Sequence, residues 1–441
     1  MSISAKADFS RLYLAEQGVD HEVIPKFYKV RQHFPDERLN DIPGTVHQKI
    51  YELHMDKRIH PKDRIAITVG SRQIANMPLI LRSIVNEVRA LGAEPFVIPA
   101  MGSHGGATAE GQKQLLAHYG ITEETIGCKI VSDMSTDIIG YTEKGLPVYC
   151  SSALIHLADG IILCNRIKPH PGIAGPTQSG LIKMSVIGCG KQKGAETCHK
   201  AGTRGMAERL VASRRVVFEK MPVLFGVGII ENAYDETSEI HVIPAEKIHE
   251  EEPALLKRAY EKMPKILPDD IDVLYVDRIG KNFSGVGADP NVTLRFLVPA
   301  KAAEVTRRPP SVFIMGDITE ESAGAVSGIG QADIITMRLF EKIDFGKTYV
   351  NVMTSTFLRG AKIPVVMRND EYALKFGIHT CNAPDPSDIR IVRIQDTLHV
   401  SEIMISEAVY NEIKEDPRYT VLSGSFELRF DAQGNIFDDS Y

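Results

Sequence analysis

The chain has 441 residues, of which 51 are Lys or Arg and 57 are Asp or Glu, so its formal net charge is −6 at pH 7. Hydrophobic residues make up 43% of the chain and charged residues 24%, which is ordinary globular usage and excludes a disordered protein. The mild acidity argues against a nucleic-acid-binding protein, because such proteins carry a basic surface.

Location and domain number follow from the same coarse features. The N-terminal residues contain no apolar run after a basic start, and no stretch approaches the roughly 18 apolar residues of a membrane span. We therefore expect a cytoplasmic protein without a membrane partner. The six cysteines form no Cys-x-x-Cys pair and are too few for a disulfide scaffold. At roughly 150 residues per domain, the length predicts two or three domains.

Strands and helices alternate through the first half of the chain. A buried strand, a helix, a second strand, a second helix and a third strand are predicted, in that order, at Arg64–Gly70, Asn76–Leu91, Pro95–Pro99, Thr108–Tyr119 and Asp159–Asn165. Gly92 and Gly120 are placed to end the two helices, and Thr108 is placed to cap the second. This alternation predicts an α/β domain with a largely parallel, Rossmann-like sheet.

A second group of strands begins near Asp272 and predicts a second α/β domain. Its candidate strands are Asp272–Asp277, Ser311–Met315, Tyr349–Met353, Ile363–Met367 and Ile389–Ile394. The segment Met263–Asp270 carries two prolines and two acids and is the predicted boundary. The expected domains are therefore residues 1–266 and 271–409. The tail, 410–441, contains a predicted hairpin within Ser425–Phe437, and the tail is able to pack back on the first domain.

Reactive side chains follow the ends of three predicted strands. Arg72 follows the first strand, His104 follows the second and His170 follows the third. In open α/β sheets, ligand sites form beyond the carboxyl ends of the strands. If these three strands are neighbours in the sheet, the three side chains can converge on one crevice.

The loop Gly102-Ser103-His104-Gly105-Gly106 opens directly into a predicted helix. Glycines such as Gly105 let backbone amides approach a ligand closely, and the helix start near Thr108 offers unpaired N–H groups to an anion. The alternative is an ordinary glycine-rich turn with a surface histidine. The loop alone leaves both interpretations open.

Three residues further along the chain invite the same question. His170 lies between two prolines, which would hold its ring in one place, yet a lone histidine is also often structural. Lys183 interrupts an apolar run, so it either extends to solvent or is held for chemistry. His199 follows Cys198, but Cys189, Cys198 and His199 match no structural-zinc spacing.

Taken together, these residues resemble the nickel-pincer-nucleotide lactate racemase family. The resemblance rests on His104 in its glycine loop, His170 in Ile-Lys-Pro-His-Pro-Gly, and Lys183 and His199 sixteen positions apart. It covers mainly residues 64–200. The family consists of two-domain α/β proteins that act on 2-hydroxy acids, so the resemblance implies a racemase or epimerase whose active site lies in the cleft between the two domains.

The resemblance also implies a role for each matching residue. Lys183 would carry the cofactor covalently, a nickel-pincer nucleotide derived from nicotinic acid and joined through a thioamide, and His199 would be the protein ligand of Ni²⁺. His104 and His170 would be acid/base groups on opposite sides of the substrate. Hydride would leave C2 for the cofactor, forming a 2-keto acid, and return to either face. Proteins that synthesise the cofactor would be the partners besides the substrate.

The chain departs from the family close to the substrate. The family's arginine usually lies in acid-x-Thr-Arg-Pro, whereas Arg72 lies in Val-Gly-Ser-Arg-Gln, and the segment between His170 and Lys183 is a few residues longer. Arg72 is expected to contact either a carboxylate or the phosphate of the cofactor. Gly105 and Thr108 are expected to contact the cofactor. A larger, polyhydroxylated acid therefore stands beside lactate as a candidate substrate.

The second domain is expected to supply a cation for the substrate carboxylate. Lys281 is the candidate, with Asn282 beside it, in a polar loop that follows a predicted strand. A solvated turn is the other interpretation of this loop.

Two other functions remain open from the sequence. A dehydrogenase using a diffusible nicotinamide nucleotide would need no role for Lys183 or His199, and the absence of Gly-x-Gly-x-x-Gly argues against it. A non-catalytic nickel- or nucleotide-binding protein would have no use for the two loop histidines. Neither the oligomeric state nor the substrate can be deduced from the sequence.

Overall fold

The computed structural model describes residues 8–200, 202–383, 385 and 388–437. They form two compact units. The inserted unit is Pro35–Met263, and the terminal unit joins the segment up to Phe34 with the chain from Pro264 onward. Among the described helices, none has the length and apolar character needed to span a membrane.

The described chain contains sixteen strands and sixteen α-helices. The strands, β1 to β16, are Phe27–Gln32, Arg64–Val69, Glu94–Pro99, Lys129–Ile130, Thr136–Tyr141, Pro147–Ser151, Gly160–Arg166, Val223–Glu231, Thr237–Pro244, Val273–Ile279, Val312–Ile318, Ile334–Thr336, Val365–Met367, Ile391–Ile394, Glu402–Ser406 and Tyr419–Val421. The helices, α1 to α16, are Tyr13–Val19, Ile42–Glu52, Met77–Ala90, Ala109–His118, Glu123–Ile126, Ser152–Leu157, Leu181–Lys183, Lys191–His199, Gly202–Lys220, Ile248–Lys262, Pro290–Thr293, Pro299–Ala302, Met337–Glu341, Phe345–Ser355, Asp370–Thr380 and Glu407–Ile413.

The inserted unit is built on a six-stranded sheet in the order β4-β3-β2-β7-β8-β9. All neighbouring pairs are parallel except β8 and β9. Strands β2, β3 and β7 are almost wholly buried, as expected for parallel strands covered on both faces. The predicted α/β class with a largely parallel sheet is confirmed.

The predicted elements of this unit agree with the structure to within one or two residues. Helix α3 ends at Ala90 with Leu91 as its C-cap, and Gly92 follows with φ of 80°, the left-handed conformation that a glycine adopts most easily. Helix α4 is capped by Thr108, whose Oγ1 accepts a hydrogen bond from the Gly111 N–H at 3.0 Å. Local signals therefore define these helix ends.

The terminal unit contains an eight-stranded sheet in the order β13-β12-β11-β10-β14-β15-β1-β16. The five strands from β13 to β14 are parallel, and β15, β1 and β16 add antiparallel pairs. The second α/β domain expected after Asp272 is thus present, with a mixed sheet.

The domain limits differ from the predicted 1–266 and 271–409 at the two chain ends. The boundary at Met263 falls within the predicted segment, but β1 belongs to the terminal unit because it pairs with β15 and β16. The tail 410–441 was expected to be able to pack on the first domain. Its described part lies in the terminal unit instead, since β16 completes the sheet beside β1.

One predicted strand, Tyr349–Met353, is wrong. The segment lies inside helix α14, which is capped by Asp344 through the Lys347 N–H at 2.9 Å. A short apolar run does not by itself distinguish a helix from a strand, and here the Asp344 cap indicates a helix. The predicted tail hairpin is present as a turn closed by a bridge between Phe430 and Ile436.

Candidate functional site

The loops that carry Arg72, His104 and His170 leave neighbouring parallel strands. The order β3-β2-β7 puts the ends of all three strands at one edge of the sheet of the inserted unit. At that edge Asn165, near the end of β7, donates its Nδ2 hydrogen bond to the carbonyl of Gly180, just before α7. The strand adjacency that the sequence required for a shared crevice is therefore present.

The loop between β3 and α4 is packed tightly against its own helix. Gly105 has φ of 66°, and a Cβ atom there would lie 2.6 Å from the Gln112 backbone nitrogen. Glycine is thus needed at this position for the loop to fold on α4. The Thr108 hydroxyl also donates to the Gly105 carbonyl at 3.2 Å, so it takes part in closing the loop. The cofactor contacts expected of Gly105 and Thr108 remain predictions.

A buried lysine, Lys191, forms hydrogen bonds that hold this loop in place. Lys191 has no exposed surface, and its Nζ donates to the Pro99 carbonyl at 2.5 Å and to Gln112 Oε1 at 3.3 Å. Gln112 Nε2 in turn donates to the carbonyls of Gly102 and His104, at 3.1 and 3.3 Å. The chain of hydrogen bonds links the end of β3 to the backbone that carries His104.

The His104 ring is held in one tautomer. Its Nδ1 lies 2.8 Å from the Met101 carbonyl oxygen, which only accepts hydrogen bonds, so Nδ1 carries the proton and Nε2 has a free lone pair in the neutral ring. Burial lowers the pKa of His104, the Met101 carbonyl opposes that shift, and the charges of Arg72 and Lys183 add to it. His104 is thus suited to accept a proton at Nε2 near neutral pH.

His170 is held in the opposite tautomer. The Gly172 N–H donates to His170 Nδ1 at 3.0 Å, so the neutral ring carries its proton on Nε2. The His170 N–H donates to Gln178 Oε1 at 2.8 Å, and the Lys168–Ser179 bridge closes the loop around it. The neutral rings of His170 and His104 are therefore held in opposite tautomers.

Lys183 and His199 lie on one interrupted helical run. Helix α7 ends at Lys183 and continues as a π-helix over Met184–Gly188, and α8 then ends at His199. Lys191, at the start of α8, has φ of 52°, so the run does not continue as a straight helix. His199 and Lys183 consequently lie close enough for the lysine charge to lower the pKa of His199.

Four nitrogen-bearing side chains form an electrostatic cluster, which we call the lysine cluster: Arg72, His104, Lys183 and His199. Burial and the charge of Arg72 lower the pKa of Lys183 to about 8. Burial, Lys183 and His104 lower the pKa of His199. Burial also lowers the pKa of Arg72. The cluster is therefore a region where positive charge is unfavourable in the protein alone.

The lysine cluster has few partners within the part of the chain that the structure describes. There, the side chains of Arg72, Lys183 and His199 make no hydrogen bond and no ion pair; Arg72 is exposed, and Lys183 and His199 are half-buried. The nearby cation Arg166, by contrast, is paired with Glu231. An unpaired, desolvated ammonium group such as that of Lys183 is costly, so the arrangement favours a bound anion.

The residues present fit a phosphorylated, metal-bearing group attached to lysine. A pKa of about 8 leaves Lys183 a substantial uncharged fraction at neutral pH, and only an uncharged amine forms a covalent bond. The lowered pKa of His199 keeps its imidazole neutral, the form that binds metals. Arg72 can contact a phosphate or carboxylate through two N–H groups.

The alternative zinc ligands noted in the sequence do not suit a metal. Burial raises the pKa of the Cys189 thiol to about 12 and that of Cys198 to about 11, and both thiols are buried. A thiol binds a metal as a thiolate, which this environment disfavours. His199 is therefore the better ligand of the three.

Lys281 and Asn282 lie in the terminal unit, in the loop after β10, as their sequence context predicted. The Lys281 N–H donates to Ser322 Oγ at 2.9 Å, and Asn282 Oδ1 accepts from Thr319 Oγ1 at 2.9 Å. The backbone of Lys281 and the side chain of Asn282 thus help to shape the loop. Their contact with substrate remains a prediction.

Two buried charged residues of this region were not identified from the sequence. Lys191 follows Gly188-Cys189-Gly190 and has no exposed surface. Glu252 is 1% exposed and accepts hydrogen bonds from the Leu181 and Ile182 N–H groups. A signal existed for Glu252, because it falls on the apolar stripe of α10 with Ile248, Leu256 and Ala259.

Comparison with known proteins gives the following similarities. Residues 30–209 match the family model described as the lactate racemase N-terminal domain. The lactate racemase apoprotein from Thermoanaerobacterium thermosaccharolyticum is 14% identical, with a TM-score of 0.45 over 66% of this chain and 74% of that one. A protein from Thermotoga maritima is 12% identical, with a TM-score of 0.46 over 79% and 92%. No curated protein sequence matches this chain.

Proposed function

Because residues 30–209 match the lactate racemase N-terminal domain, we propose that the chain is a racemase-type enzyme that inverts the C2 stereocentre of a 2-hydroxy acid. The reaction uses a nickel-pincer nucleotide attached to Lys183. The departures around Arg72 put lactate itself in doubt, and the polar loop of Lys281 and Asn282 suits a larger or polyhydroxylated acid. The protein acts as a cytoplasmic isomerase, and proteins that make the cofactor load it.

Three members of the lysine cluster, Lys183, His199 and Arg72, are the observation that carries this proposal. Their side chains make no hydrogen bond or ion pair within the described chain, and they combine an amine, an imidazole and a guanidinium. These are the groups needed, respectively, to attach the nucleotide, to bind nickel and to contact a phosphate or carboxylate. A purely structural cluster would be expected to pair its charges, as Arg166 does with Glu231.

The cofactor, when bound, supplies a hydride acceptor that no amino-acid side chain provides. The remaining work falls to residues of the chain. His104 Nε2 takes the hydroxyl proton of the substrate, because its lone pair is free while Met101 holds the proton on Nδ1. Desolvation at the site lowers the pKa of His104, which favours the neutral ring that can accept a proton.

His170 is the second acid/base group. The Gly172 N–H donates to its Nδ1, so the proton of the neutral ring is on Nε2 in the resting protein. Acting as the base for the opposite stereoisomer requires His170 to exchange tautomers and release Gly172. Lys281 and Asn282 contact the substrate carboxylate or its additional hydroxyl groups.

The test is a panel of chiral 2-hydroxy acids, sugar acids included. The protein is produced in cells that also make the pincer cofactor, and inversion at C2 is followed by chiral chromatography. We expect inversion of at least one acid without added nicotinamide nucleotide. Protein whose Lys183 carries the cofactor but which inverts no acid would contradict the proposal. Stoichiometric consumption of free nicotinamide nucleotide would indicate a dehydrogenase.

A further inference from the structure

The helix that carries Lys183 begins without a local cap. The residue before it is Gly180, which has no side chain to accept a hydrogen bond from the first helical N–H groups. Such groups need a partner when they are buried, and Leu181 and Ile182 are both buried. Something outside α7 must therefore complete the start of this helix.

Glu252, from helix α10, completes it. Its Oε2 accepts from the Leu181 N–H at 2.5 Å and from the Ile182 N–H at 3.1 Å. A carboxylate at a helix N-terminus is stabilised by both hydrogen bonds and the helix dipole. The same contact anchors α7 to α10, which packs against β8 of the sheet.

The residues around the Glu252 carboxylate leave room for it. A Cβ atom on Gly180 would lie 2.6 Å from Glu252 Oε2, so any larger residue at position 180 would displace it. Glu252 is almost completely buried, and its Oε1 has no hydrogen-bond partner in the described chain. Burial outweighs the two N–H contacts and raises the pKa of Glu252 to about 7, while Arg214 opposes the shift. A buried carboxyl with an unpaired oxygen is costly, and a purely apolar contact would avoid that cost.

We propose that Glu252 is a positioning residue, which caps the Lys183 helix from outside and thereby directs the lysine amine into the lysine cluster. The proposal rests on the proposed function for the use made of Lys183. It concerns the direction of the amine, which is measurable without cofactor or substrate.

The position of Lys183 in its helix makes such a cap effective. Only Leu181 and Ile182 precede Lys183 in α7, and the π-helix that follows leaves no regular α-helical turn to fix it from the other side. The same run continues to His199. A shift at the capped end therefore moves the amine relative to Arg72 and His104 before it affects any other part of the cluster.

The experiment compares three variants of the full chain without cofactor. Glu252→Asp withdraws the carboxylate by one methylene, and Glu252→Gln keeps an oxygen acceptor. Glu239→Gln removes the charge from a different α10 anchor, the two-point contact with Arg258. Each protein is treated with limiting acetic anhydride at about pH 8, and acetylation of Lys183 is measured by peptide mass spectrometry. The exposed Lys113 serves as the internal reference.

We expect Glu252→Asp to lower the acetylation of Lys183 relative to Lys113 by about tenfold, because an amine turned to solvent is mostly protonated at this pH. Glu252→Gln and Glu239→Gln should leave the ratio near the wild-type value. An unchanged ratio in folded Glu252→Asp would overturn the proposal. If Glu252→Asp does not fold, Gly180→Ala is used instead, because it displaces the same carboxylate. The same fall in the acetylation of Lys183 relative to Lys113 is then expected, and an unchanged ratio would overturn the proposal.

Failure of this proposal differs from failure of the proposed function. If the chain never carries the nucleotide, the acetylation ratios still report whether Glu252 directs Lys183. If Glu252 has no such role, a loaded and active wild-type protein remains possible. A drop of the same size in Glu239→Gln would show that general loosening of α10 causes the effect, and it too would overturn the positioning role.

Discussion

Lys183 and Lys191 lie eight residues apart in one interrupted helical run, and burial lowers the pKa of each to about 8. Their surroundings differ in exposure and in hydrogen bonding. Lys191 is fully buried and donates to Pro99 and Gln112, whereas Lys183 is half-buried and its amine has no partner in the described chain. A similarly lowered pKa thus accompanies two different states of hydrogen bonding.

The difference separates a structural lysine from one available for chemistry. The Lys191 amine donates hydrogen bonds that hold the backbone of the His104 loop, so its removal should lower the stability of the fold. Lys183 holds nothing in place, so its removal should affect only what binds there. A lowered pKa alone would not have distinguished them, because both ion-pair networks and reactive sites shift pKa values.

The largest expected effect comes from Lys183→Ala. This variant should lose the covalent nucleotide and all inversion activity, yet melt at or above the wild-type temperature, because an unpaired, desolvated charge has been removed. Intact-protein mass spectrometry and thermal unfolding measure the two quantities. A nucleotide still attached to the variant would contradict the assignment of Lys183 as the lysine available for chemistry.

His104→Ala should have the next largest effect. It removes the proposed base but no residue that holds the cofactor, so turnover should fall by roughly 10²-fold or more while the nucleotide remains attached. Initial rates of inversion, normalised to attached cofactor, give the result. Near-native turnover would remove His104 from the proposed role.

Lys191→Ala tests the other half of the comparison. It leaves a cavity and deprives the Pro99 carbonyl and Gln112 of their partner, so the free energy of unfolding should fall by about 2 kcal/mol or more. Denaturant titration provides the value, with Lys183→Ala as the matched control. Equal stability of the two variants would mean that the pairing difference has no energetic consequence.

The pH dependence of Lys183 reactivity gives the finest distinction. Because its pKa is lowered to about 8, acetylation of the wild-type amine should rise about tenfold per pH unit below pH 8 and level off above it. An ordinary lysine continues to gain reactivity up to about pH 10. Competitive labelling across this range, with Lys113 as reference, shows which profile applies. A Lys183 profile that follows Lys113 would exclude the lowered pKa.

Much of the inserted unit could be predicted from the sequence because its signals are local. Strand β2, helix α3 with Gly92, and helix α4 with Thr108 follow from apolar period and capping residues. The residues that follow strands were also recognisable. Their convergence depended on the order β3-β2-β7, which local pattern does not determine.

The parts that escaped prediction depend on distant contacts. Strand β1 joins the terminal unit because Phe27–Gln32 pairs with strands from the other end of the chain. Which of three adjacent acids, Glu250 to Glu252, caps the lysine helix depends on the rotation of α10 against α7. The opposite tautomers of His104 and His170 depend on single backbone contacts that no residue pattern reveals.

The central claim is that Lys183 carries a nickel-pincer nucleotide. The most direct test is the mass of the proteolytic peptide containing Lys183, from protein made in its native host or in cells that also produce the cofactor. A known lactate racemase is loaded in parallel as control. We predict a nickel-containing nucleotide adduct on Lys183. An unmodified Lys183 beside a loaded control would contradict the claim.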